Sequence, residues 1–208
     1  MLRADYLARL LQLASPTLPV GAYSYSQGLE AAVEAGIVHD AESAQAWIGD
    51  ALTLSMGWFE APVLWRMMHG EDLNAFFLAS RETAELRAET LQMGHSLSRL
   101  LQELELGRVP LDEPAFPTAY AFAVERLAIG KREALVAYVW SWLENQVMAA
   151  VKCVPLGQSA GQKILLTLGA RLDAIADAAQ AGEPLNFAPG LAVLSSRHET
   201  QYSRLFRS

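Results

Sequence analysis

Between residues 83 and 106 the apolar side chains Leu86, Met93, Leu97, Leu100, Leu101 and Leu104 recur at three- and four-residue steps, with Glu85, Glu89, Arg99 and Glu103 interleaved. Only an α-helix gathers that spacing onto one face. Nowhere does the chain show the sustained alternation and β-branched enrichment of a half-buried strand. Gly107 and Pro110 stop the helix. The same reading predicts helices over 5–13, from a Ser24–Gln27 capping box to about Ala35, and over 41–56 behind Asp40. Gly57 and Pro62 should then interrupt or kink the chain before a helix that reaches His69. Further helices are expected from Asp72 to Ser80, over 118–129 and over 131–154. A last stripe carries Ile164, Leu168, Leu172, Ile175 and Ala179. Segment 131–154 is apolar around most of its circumference, which predicts a central helix or a subunit contact. Residues from Asn186 onward read as a tail with at most one short turn after Pro189-Gly190. The expected architecture is all-α: a single-domain helical bundle over 1–185 with a flexible C-terminal tail over 186–208.

Of the 208 residues, 52% are hydrophobic and 19% charged, enough apolar material for a sizeable core. The surplus asks for a thick core or a surface covered by a partner. A formal charge of −7 gives no global attraction for nucleic acid or an anionic membrane. The only cysteine, Cys153, closes no internal disulfide. Arg3, Asp5 and Arg9 break up the leucine-rich start, so no export signal is read there. The most apolar run, 134–143, is too short to span a bilayer. A cytoplasmic location is therefore expected.

Chemistry-bearing patterns are sparse. His39, His69, His95 and His198 are far apart, with no His-x-x-x-His or Cys-x-x-Cys pair. Cys153 lies between Lys152 and Val154 with Val151 beyond, a setting for an inert thiol. Gly157 to Lys163 lacks both the spacing and the preceding strand of a phosphate loop. No catalytic, cofactor or metal residue is assigned, and no cofactor is expected.

Two segments stand out. In Pro19-Val20-Gly21-Ala22-Tyr23-Ser24-Tyr25-Ser26-Gln27-Gly28-Leu29-Glu30, prolines 16 and 19 stiffen an extended connection that carries two tyrosines. Gly28 permits close approach of another backbone. A stiff aromatic turn serves internal packing and partner binding alike, and the residues alone leave both open. In 197–208, Arg197, Arg204 and Arg207 surround Tyr202, Leu205 and Phe206. Arginines among aromatics suit a protein interface. A tail that packs back on its own domain is the other reading.

The run Leu18 to Glu30 closely resembles the N-terminal signature of the UreF family of urease accessory proteins, and Glu199 to Ser208 is similar to that family's bacterial C-terminus. Ala22-Tyr23 departs from an expected Gly-Phe but keeps a small residue before an aromatic. The resemblance implies a non-enzymatic adaptor that bridges UreD (also called UreH) and the nickel-carrying GTPase UreG. That assembly docks on urease apoprotein and assists nickel insertion, with the adaptor as a homodimer inside it. By position, the resemblance makes Tyr202, Arg204, Leu205 and Phe206 contacts for UreD/UreH. It places Pro19, Gly21, Tyr23, Tyr25, Gln27, Gly28 and Glu30 on the surface facing the GTPase. The competing expectations are a small helical enzyme and a GTPase-activating protein that acts through Arg81, Arg87 or Arg99 on a helix surface.

Overall fold

A computed structural model describes residues 4–208. Arg3, one of the charges read as breaking up the N-terminal apolar run, lies outside the described residues. Among the described residues the regular elements are all helical: α1 (Ala4–Ala14), a 3-10 turn (Ala22–Ser24), α2 (Leu29–Glu34), α3 (Ala41–Ala51), a π-helical segment (Leu52–Glu60), α4 (Ala61–Met68), α5 (Asn74–Ala79), α6 (Ala84–Glu103), α7 (Phe116–Arg126), α8 (Lys131–Cys153), α9 (Gln158–Gly169), α10 (Leu172–Ala181) and α11 (Pro189–His198). No helix among them is long and apolar enough to cross a membrane.

The apolar helix α8 is the axis of the bundle. It packs against α1, α2, α3, α4, α9 and α10, and Leu135 and Leu143 are fully buried along it. Burying each such side chain contributes about 2 kcal/mol. Helices α6 and α7 pack together, linked through 104–115; the start of α7 lies beside Thr90 and its end beside Gly107, so the two run in the same direction. Their link approaches so closely that a Cβ at Gly94 would lie 2.0 Å from the Pro114 carbonyl oxygen. Tyr120 is buried on α7 and donates its hydroxyl to the Ala134 carbonyl at 2.9 Å.

Several boundaries differ from those read in the sequence. Asp40 caps α3 as expected, in a box with Ser43, but Gly57 and Pro62 do not break the chain. The helix widens to a π segment and runs on to Met68. Pro62 has no N–H for the carbonyl four residues back, and the freed Trp58 carbonyl accepts instead from Leu185 N–H at 2.8 Å. The N–H of Ala61 reaches back five residues to Met56, the π register that absorbs the mismatch. The last stripe is two helices, α9 and α10, joined at Ala170 and Arg171.

The stretch 186–208 carries more structure than the single short turn expected of it. Pro189 starts a helix of 10 residues, which packs on α2 and α6. The reason is Gly28: a Cβ there would meet Ser195 N at 3.2 Å and Leu191 O at 3.5 Å, so the missing side chain lets α11 lie on the backbone of the turn.

Candidate protein-interaction site

The turn before α2 and the strap 199–208 form one structure. Gln27 has φ 52° and Gly28 φ 82°, so the chain reverses through the left-handed region just before α2. The expected capping box does not form: Gly28 is the N-cap, and it makes no side-chain cap bond. The Gln27 side chain is drawn elsewhere. It accepts from the Trp142 indole at 2.6 Å and donates to Glu89 at 2.7 Å. The left-handed Gln27 is held by that pair and by its own N–H, which donates to the Ser208 backbone oxygen at 3.0 Å.

The strap lies against this turn along its length. Ser26 donates both its N–H and its hydroxyl to the Ser208 oxygen, each at 2.6 Å. Arg207 N–H donates to the Ser24 carbonyl at 2.8 Å, and the Ser208 hydroxyl donates to Glu89 at 2.9 Å. Glu30 is the central fastener. Its two carboxylate oxygens accept from Leu205 N–H at 2.7 Å and Phe206 N–H at 3.0 Å. The fully buried His198 ring lies between Glu30 Oε2, 3.2 Å from Nε2, and Glu85 Oε2, 2.8 Å from Nδ1. Both contacts are donor-to-acceptor bonds when the ring carries both protons. Glu85 also pairs with Arg204 at 2.6 Å, and Glu199 accepts from Ala84 and Glu85 N–H at the start of α6. A carboxylate at that helix N-terminus satisfies free backbone donors.

This geometry separates the expected contacts into two sets. Pro19, Tyr23, Tyr202, Arg204 and Leu205 are exposed, with Tyr23 64% and Leu205 73% open to solvent. Tyr25, Gly28, Glu30 and Phe206 are buried, and Gly21 and Gln27 are intermediate. Glu30, expected on a surface facing the GTPase, is only 7% exposed and grips the chain's own strap. A carboxylate four positions along from Ser26 at a helix start is where two free amides of a returning strap can be met. Tyr25 is covered in turn: burial pushes its phenol up, while a hydrogen bond from Arg207 opposes the shift. Phe206 packs under Lys152, whose ammonium lies 5.4 Å from the ring centre.

Sequence reasoning did not single out Glu85, Glu89 or Trp142, and it weighed His198 only as one of four scattered histidines, whereas that ring is fully buried. The available signal was weak: Glu85 and Glu89 sit one turn apart on α6 and read as members of a solvated face, whereas Glu89 is buried. Other expectations are placed as follows. His39, His69 and His95 are exposed. Among the described residues no three His, Cys, Asp or Glu side chains converge as a metal site. Burial pushes the Cys153 thiol up to about 11, the opposite of an activated nucleophile. Arg81, expected on a helix surface, has a side chain only 7% exposed and pairs with Glu60. Arg99 is exposed and pairs with Glu103.

The fold and site define an all-α helical bundle that clasps its own C-terminal strap with a buried carboxylate and histidine and leaves Tyr202 on the outside of that strap. The UreF family model matches residues 38–169. Urease accessory protein UreF of Azoarcus sp. (strain BH72) is 57% identical, over 97% of this chain and 95% of its own. The UreF proteins of Methylobacillus flagellatus and Dechloromonas aromatica are 52% and 51% identical, over all of both chains and 97% of both. The chain belongs to the UreF family of urease accessory proteins.

Proposed function

We propose that this protein is a cytoplasmic adaptor that bridges a UreD/UreH accessory subunit and a UreG GTPase, as a homodimer within that assembly, and so assists nickel insertion into urease apoprotein. Its role is positional: it orients the GTPase so that released nickel passes to urease and not into bulk water. The observation that carries the reading is the split surface of the strap. Its backbone is fastened inward by Glu30, yet Tyr202 and Leu205 are open to solvent, as is Tyr23 on the turn. Exposed aromatic and aliphatic side chains on a pre-ordered frame bind a partner with little further loss of conformational freedom. Tyr202, Arg204 and Leu205 form the contact for UreD/UreH. Pro19, Gly21 and Tyr23 face the GTPase. Tyr25, Gln27, Gly28, Glu30 and Phe206 act from beneath, by fixing that surface.

Co-purification of the chain with UreD/UreH and UreG, scored by nickel incorporation into apo-urease, tests the proposal. The full chain is expected to yield the complex and an activated urease. A chain lacking 197–208 is expected to lose both. Complex formation undiminished by the deletion removes the strap from the proposal.

A further inference from the structure

Beneath the turn lies a cavity of about 420 Å³, enough for a small organic molecule. Leu13, Leu18, Met93 and Phe116 supply apolar wall, and the cavity reaches the surface beside Tyr23 and Lys152. Its polar groups are unevenly satisfied. Both oxygens of Glu60 are occupied, one by the Tyr138 hydroxyl and one by Arg81. Both oxygens of Glu89 are occupied as well, by Gln27 and Ser208. Arg81 is the exception. Its guanidinium lies over the Phe77 ring at 4.3 Å and near Phe59 at 5.2 Å. It makes one hydrogen bond, at 3.3 Å, and its Nε–H is buried without a partner. A guanidinium carries five donors, so the capacity left unused in this wall is donor capacity. The segment that delivers Glu60 to Arg81 is the π-helix, a rare element that often marks functional positions.

We propose that this cavity is a binding site for a small neutral molecule with an apolar body and one carbonyl oxygen, an aliphatic amide in chemical class, whose oxygen accepts from Arg81. The charges on the wall select against the alternatives. Glu60, Glu89 and Glu144 outnumber Arg81 and Lys152, which disfavours an anion. Each oxygen of Glu60 and Glu89 already accepts a hydrogen bond, so an ammonium there has to compete with Tyr138, Arg81, Gln27 and Ser208.

The test titrates the full chain with butanamide, butanoate and butylamine, followed by calorimetry and by tryptophan fluorescence, since Trp142 lines the cavity. Butanamide is expected to bind saturably at one site, at least tenfold more tightly than either charged congener. Arg81→Lys keeps the charge beside Glu60 but loses the planar fork, and it is expected to weaken butanamide about tenfold. Ala22→Phe leaves Arg81 untouched and places a ring at the wall, and it is expected to abolish binding. The proposal is overturned if butanamide does not bind, if a charged congener binds as tightly, or if Arg81→Lys or Ala22→Phe retains wild-type affinity.

Discussion

Glu30 and Glu89 are both buried on the strap side of the bundle, and they do different work. Glu30 accepts two backbone N–H groups and faces the His198 ring. Glu30→Gln keeps the shape but puts an NH2 where an acceptor is required. Hydrogen exchange at the Leu205 and Phe206 amides should accelerate at least tenfold, and the urea midpoint should fall by an amount equivalent to about 3 kcal/mol. Unchanged protection would show that the strap is held by something else. Glu89 is buried with hydrogen bonds from Gln27 and Ser208, yet desolvation dominates and pushes its carboxyl up to about 7 from an ordinary 4.5. A carboxyl raised in the folded state binds protons more tightly there than in the unfolded chain. Its protonated form therefore favours folding below 4.5, and that contribution is lost as pH rises towards 7. At about 1.4 kcal/mol per unit, the loss approaches ~3 kcal/mol. Glu89→Gln removes the titration and can keep both hydrogen bonds, because the Ser208 hydroxyl can rotate to accept. Relative to wild type it should be markedly more stabilising at pH 8 than at pH 5, measured by denaturant midpoints across that range. A difference that does not depend on pH would contradict the assigned burial.

The elements were legible where a single apolar stripe meets clear punctuation. α6 was readable from its one apolar stripe and the Gly107 and Pro110 that follow it; the structure adds a cap, Thr83, which accepts from Leu86 N–H at 3.2 Å. α8 was readable as a central helix or a subunit contact because it is apolar around most of its circumference, and its packing on six other helices places it in the middle of the bundle. The π segment was not readable, because Gly57 and Pro62 are ordinary helix breakers until a neighbouring strand of chain satisfies the freed Trp58 carbonyl. α11 was missed for the same kind of reason: its apolar residues make no strong stripe, and Gly28, 161 positions before Pro189, supplies its seat. Two glycines test how tightly elements are set. Gly94→Ala should destabilise by about 3 kcal/mol, since its Cβ would meet backbone at Pro114 and Ala115, which cannot swing aside. Gly190→Ala lies within the first turn of α11 with nothing within 4 Å. It should stabilise by up to about 1 kcal/mol. Thermal denaturation of the two variants should move in opposite directions, and a Gly94→Ala variant that melts no lower than the wild type would refute the packing described between α6 and the link that precedes α7.

At the scale of the whole molecule, the sequence named the two segments that meet but not that they meet. The tyrosine turn and the strap are almost the whole chain apart. Their contact depends on backbone amides meeting a carboxylate, which no side-chain pattern advertises. Reading each segment separately left packing and partner binding as rivals. The fold makes them successive layers of one structure, with Tyr25, Phe206 and Glu30 below and Tyr23, Tyr202 and Leu205 above. The layers can be separated by experiment. Truncation at 198 removes both: the buried Phe206 and the strap's hydrogen bonds with it, a loss of several kcal/mol and a fall in melting temperature of about 2–4 °C per kcal/mol. Tyr202→Ala with Leu205→Ala removes only the outer layer. Both side chains are open to solvent, and substitutions there typically alter stability by about 0.5 kcal/mol or less. The double variant should therefore melt with the wild type, retain slow exchange at the Phe206 amide, and fail to co-purify with UreD/UreH. Should it recover the complex as well as the wild type does, the strap's outer face is not the contact, and its conformation serves only the bundle that carries it.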